Sequence, residues 1–127
     1  MREGEGEREG RDVIEAYFAA MRRGAGAEAD MLALFTDDAV YDEPFSGIDE
    51  PAVGIDAVRD RLRAGWAEPL PDMELDVLSV EITANTAVSQ WECRSPAFPA
   101  PVRGSDAYEF RDGRIAVLRV TIDRPGG

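Results

Sequence analysis

Apolar positions along the chain keep a helical period through the first half and change to strict alternation after about residue 72. From Asp12 to Arg23, Val13, Ile14, Tyr17, Phe18 and Met21 fall at i, i+1, i+4, i+5 and i+8, one face of an amphipathic helix. Gly24-Ala25-Gly26 ends it, and a second helix is expected from Ala27 to Phe35, carrying Met31, Leu32 and Leu34. The polar turn Thr36-Asp37-Asp38 follows, then a brief β segment, Ala39 to Tyr41. Pro44 biases the residue before it toward extended backbone. Glu43 therefore belongs at a strand end where a loop begins, a place where a carboxylate can point into a cavity. The loop from Phe45 to Val53 is rich in Gly, Pro and acid. Gly54 opens a third helix with Ile55, Val58, Leu62 and Trp66 at helical spacing, and Pro69 and Pro71 stop it.

The second half reads as strands. Met73 to Ile82 alternates, but the phase slips between Leu75/Val77 and Leu78/Val80/Ile82, which predicts a β-bulge near Val77 that bends the sheet. After a turn at Ala84-Asn85, Thr86 to Arg94 puts Ala87, Trp91 and Cys93 on one face and Gln90, Glu92 and Arg94 on the other. A loop with Pro96, Pro99 and Pro101 leads to a hairpin, Val102 to Phe110 and Arg114 to Ile122, around Asp112-Gly113. Helices first and an antiparallel meander afterwards define an α+β layout. One strongly bent sheet wrapped over three N-terminal helices would form a cone with an open mouth. Residues 1–11 are Gly- and Glu-rich and bury too little apolar surface to repay ordering, so a disordered tail is expected there, followed by a single domain over 12–124.

Charge and composition narrow the chemistry. A net charge of −12 disfavours binding to a phosphate backbone or to an anionic membrane. No apolar run approaches the roughly 18 residues of a spanning helix, and no signal pattern opens the chain, so a cytoplasmic protein is expected. Cys93 is the only cysteine and there is no histidine. Ser-His-Asp and Cys-His catalysis are thereby removed, with nearly all zinc sites, and acid/base work falls to carboxylates, tyrosines and basic side chains.

Asp106 shares a strand face with Tyr108 and Phe110, while Ser105, Ala107, Glu109 and Arg111 take the other. An unpaired buried charge is costly, so Asp106 must find a partner or take up a proton. Holding it neutral at pH 7 needs a shift of about 3 units, worth roughly 4 kcal/mol of desolvation. Tyr17, on the apolar face of the first helix, should bury its hydroxyl and seek a partner. Each has a plain reading too: Tyr17 as core, Asp106 as a hydrogen-bonded structural acid, and Glu43 as a solvated loop acid with Asp42 competing for its role.

With AYFAAMRRG, LALFTDDAVYDEP, GIDAVRDRL and GSDAYEFRDGRI, the chain resembles the NTF2-like superfamily from Val13 to Asp123, in its SnoaL-like and ketosteroid-isomerase-like branch. In ketosteroid isomerases a carboxylate before a proline shuttles a proton. A helix-1 tyrosine and a protonated aspartic acid on the penultimate strand hold the enolate oxygen. By motif position Glu43 matches the base, Tyr17 the helix-1 tyrosine and Asp106 the strand acid. The resemblance thus implies cofactor-free and metal-free proton abstraction next to a carbonyl of a hydrophobic small molecule. The cavity lining would come from Phe18, Trp66, Trp91, Cys93, Tyr108, Phe110, Leu118 and Val120. Two departures are visible: Glu43 stands where that family usually shows Asp, and the loop after Pro44 differs. Alternatives are a SnoaL-like polyketide cyclase, an epoxide-hydrolase-like enzyme, or a non-catalytic ligand-binding or dimerisation module. The epoxide-hydrolase reading needs an Asp-Arg-Asp cluster, and Arg103 has the wrong strand parity to join Asp106. A homodimer through the outer sheet face, with Gln90, Glu92 and Arg94, completes the expectation.

Overall fold

A computed structural model describes residues 2–123, with side chains from residue 9 onward. Helix α1 (Arg2–Arg23) leads through a 3₁₀ turn (Gly24–Ala27) into a short α2 (Glu28–Leu32). Strands β1 (Phe35–Asp42) and β2 (Ala52–Val53) precede α3 (Ile55–Trp66). Four long strands follow: β3 (Glu74–Thr83), β4 (Thr86–Arg94), β5 (Val102–Arg111) and β6 (Arg114–Ile122). They form one six-stranded sheet in the order β2-β1-β6-β5-β4-β3. This is the α+β cone: a curved sheet closed on its concave side by the helices.

The late strands keep their sequence pattern. The register of β3 on β4 jumps between Val77 and Ser79, so the expected bulge is present and leaves Leu78 exposed on the outer face. Ala87, Ser89, Trp91 and Cys93 of β4 are all buried, and Asp106 and Tyr108 of β5 join them inside. The β5–β6 turn needs left-handed backbone at Asp112 (φ 55°) and Gly113 (φ 75°), and an Asp-Gly pair accommodates this cheaply.

The first half departs from expectation in four places. First, the backbone of α1 is helical from Arg2 rather than from about Asp12. Glu and Arg are strong helix formers, and acids near a helix start complement its dipole. Gly10 is buried, and a Cβ there would lie 3.2 Å from Phe110, so packing reaches into the segment expected to be a tail. Second, α2 stops at Leu32 and Phe35 belongs to β1, where it pairs with Ile115. Third, the polar turn becomes an irregularity inside that strand: Phe35 faces Ile115 and Val40 faces Val117, with exposed Asp37 and Asp38 looped out between. Fourth, β1 runs parallel to β6, so the sheet is mixed rather than purely antiparallel. The two-residue β2, too short to show a period, pairs with β1 across Val40–Val53 and Tyr41–Ala52.

Candidate active site

Alternation in β1 sends Tyr41 and Glu43 inward and half-buried Asp42 the other way, so Asp42 does not compete for the interior. Glu43 is 5% exposed and fully engaged. Its Oε2 accepts the backbone N–H groups of Phe45 (2.6 Å) and Ser46 (2.9 Å). Its Oε1 accepts the Ser46 hydroxyl (2.6 Å) and Arg61 Nη1 (3.0 Å). Those four bonds fill the roughly four acceptor positions of a carboxylate. Arg61 of α3 also donates to the Glu50 carbonyl (2.9 Å), and so grips both ends of the loop that follows Pro44. Its distance in sequence from Glu43 hides this partner from any local pattern.

Asp106 is 2% exposed and differently held. Trp91 Nε1 donates to its Oδ1 (3.0 Å) and the Tyr108 hydroxyl to its Oδ2 (3.1 Å). Ser89 Oγ lies 2.7 Å from the Tyr108 hydroxyl and 3.5 Å from Asp106 Oδ2. Burial pushes the Asp106 carboxyl up to about 6, against the pull of its Trp91, Tyr108 and Ser89 donors. That is short of the shift needed for a proton to be held at pH 7. Tyr17, buried on α1, and Tyr41, buried on β1, both feel the Asp106 charge. Burial drives both phenols well above the ordinary tyrosine range, Tyr17 further raised by Tyr41 and Asp106, Tyr41 by Glu43 and Asp106. Each therefore stays an O–H donor. Tyr17 packs edge-on to Phe18 (5.3 Å) and to Tyr108 (6.2 Å).

Of the expected lining, Phe18, Trp91, Cys93, Tyr108 and Leu118 are buried, and Phe110 stacks on Tyr108 at 5.8 Å. In cross-strand register Leu118 faces Tyr108, Val120 faces Asp106 and Cys93 faces Val102. Trp66, at the end of α3, is partly buried against the same core, beside Gly24. These side chains pack on one another. Two surface clefts, of about 390 and 590 Å³, lie elsewhere: one beside Arg94, Phe98 and Pro99, the other beside Asp38, Arg111 and Arg114. Phe45, 59% exposed, rests over the interior with its ring 6.3 Å from that of Trp91. Arg103 pairs with Glu92 (2.8 Å) on the outer face, so no Asp-Arg-Asp set forms around Asp106. Tyr41, Ser89, Arg61 and Gly104 were missed as site residues. Strand parity with Glu43 and Trp91 would have found the first two, and a mid-strand glycine is itself a mark of close approach. Among the described residues no group of three or more Cys, Asp or Glu is placed to hold a metal, and no helix is long and apolar enough to cross a membrane.

A bent sheet closed by helices is the architecture of the NTF2-like class. The SnoaL-like domain family matches residues 14–118, and the chain belongs to it. No curated protein sequence matches. Among solved structures, one from Kribbella flavida, provisionally named a ketosteroid isomerase, is 17% identical with a TM-score of 0.74, covering 94% of this chain and 82% of that one. An NTF2-like protein from Burkholderia xenovorans is 21% identical, TM-score 0.73, covering 95% and 88%. A provisionally named polyketide cyclase from Sinorhizobium meliloti is 21% identical, TM-score 0.70, covering 87% and 94%. At these identities the likeness shows the fold alone.

Proposed function

We propose that this chain is a cofactor-free acid/base enzyme of ketosteroid-isomerase-like type, moving a proton next to a carbonyl of a hydrophobic small molecule. The observation that carries the reading is Asp106: deeply buried and held by the neutral donors Trp91, Tyr108 and Ser89, its carboxyl is pushed up by burial to about 6. Above pH 6 it is mainly ionised, which suits it to take a proton rather than to donate a hydrogen bond from a neutral acid. Tyr17 and Tyr41 supply O–H groups for the developing enolate oxygen. The enzyme works in the cytoplasm as a homodimer paired through the outer face of the sheet.

A second reading keeps Glu43 as the base, with Tyr17 and Asp106 as oxyanion donors, and is favoured by the burial of Glu43 directly before Pro44. It requires Arg61 to release the carboxylate first. Δ5-to-Δ4 isomerisation of a 3-oxo steroid, followed by absorbance, separates the two. Asp106→Asn is expected to lower kcat by about 10²–10⁴ and Tyr17→Phe by about 10²–10³, with a smaller loss in Glu43→Gln. A collapse in Glu43→Gln, with smaller drops in Asp106→Asn and Tyr17→Phe, would transfer the base to the loop. An inactive wild type would discard the steroid and move the assay to polyketide-like carbonyl substrates or to ligand binding.

A further inference from the structure

Trp91 spans the two ends of the site. Its indole N–H donates to Asp106, and its ring lies under Phe45 of the mouth loop. The indole is seated on Gly104, its register partner on β5. A Cβ on Gly104 would stand 2.3 Å from Trp91 Cζ2, 2.8 Å from Cε2 and 2.5 Å from the Thr121 carbonyl oxygen. Only a residue without a side chain lets the ring lie there and reach Asp106.

The donors around Asp106 are not equivalent. Tyr108 has one hydroxyl proton, and its oxygen lies closer to Ser89 (2.7 Å) than to Asp106 (3.1 Å), so that proton has two acceptors to choose between. An indole N–H only donates, and here it has one acceptor. Of the groups facing Asp106, Tyr17 from α1, Tyr41 from β1 and Tyr108 from β5 remain neutral hydroxyls, and Ser89 from β4 is uncharged. Glu43 and Arg61, whose charges act on the neighbouring Tyr41, form a pair of opposite sign.

We infer that Trp91, seated on Gly104, is the positioning residue of the site: its fixed N–H aims the Asp106 carboxylate and favours its charged form. Its role in turnover rests on the proposed function, but its effect on Asp106 is measurable without substrate. The test is a ¹³C-carboxyl NMR titration, with the Asp106 signal assigned through Asp106→Asn. In Trp91→Phe the midpoint is expected to rise by about one unit, because a donor to the charged form is gone. Gly104→Ala keeps both groups but unseats the ring, and should shift the midpoint the same way. In the wild type the Trp91 indole N–H resonance should follow pH with the Asp106 midpoint, a readout that needs no variant. An unmoved midpoint in folded Trp91→Phe, or an indole resonance indifferent to that titration, overturns the inference. A protein inactive on steroids but showing these shifts would remove the proposed reaction and leave the coupling standing.

Discussion

Glu43 and Asp106 are buried to nearly the same degree, and the chain holds them in opposite ways. Glu43 sits at the start of a loop and is saturated by an arginine, a hydroxyl and two backbone amides. Asp106 sits mid-strand among aromatics, with two neutral donors as its main support. A carboxylate whose acceptor positions are all taken by strong donors is an anchor. One that is desolvated without a cationic partner is raised toward neutrality and remains available to a proton. Burial alone therefore does not mark a reactive acid; the partner list does. Their placement reinforces the difference, since rigid strands fix a reacting group better than a loop does.

The comparison can be broken most severely at Arg61. Removing one partner of a buried pair leaves an uncompensated charge, so Arg61→Met should cost about 3–5 kcal/mol in urea unfolding. The double variant with Glu43→Gln should lose less than the sum of the two singles. An Arg61→Met protein as stable as the wild type would mean that Glu43 is not anchored in solution.

The pH dependence of stability sharpens the Asp106 side. Its folded carboxyl is pushed up to about 6 by burial, above the ordinary aspartate value of 3.8, so the native state binds more protons between those values. The stability it contributes is complete below the unfolded value and is lost as pH rises through 6, roughly 3 kcal/mol in all. Urea midpoints at a series of pH values should show the wild type losing that amount relative to Asp106→Asn as pH rises over the window. Parallel curves would mean that Asp106 titrates normally.

The smallest effect belongs to Ser46. Ser46→Ala removes one of the four bonds to Glu43 while Arg61 and the amides remain, and should cost about 1 kcal/mol with little change in turnover. A loss several times larger would make the hydroxyl, rather than Arg61, the anchor of the mouth loop.

Much of this was determined by local sequence. Alternation in the last four strands assigned the inner faces of β4 and β5, the phase slip at Val77 located the bulge, and Asp112-Gly113 set the final hairpin. The helical spacing of Ile14, Tyr17 and Phe18 likewise named the buried face of α1. These are short-range properties, because period and turn chemistry act over a few residues. Phe35 passed from helix to strand because a parallel partner, β6, arrives from 80 residues further along. The same distance turned Thr36-Asp37-Asp38 from a turn into an irregularity within a strand. Glu43 could be placed at a loop mouth from Pro44, but its commitment to Arg61 depended on how α3 docks against β1. Asp106 could be assigned to an aromatic face beside Tyr108, yet its indole donor comes from the neighbouring strand, through a register that gives the ring a glycine to lie on. Which way a side chain points is a local matter; which groups it meets, and hence whether a buried acid is an anchor or a base, was decided by tertiary structure.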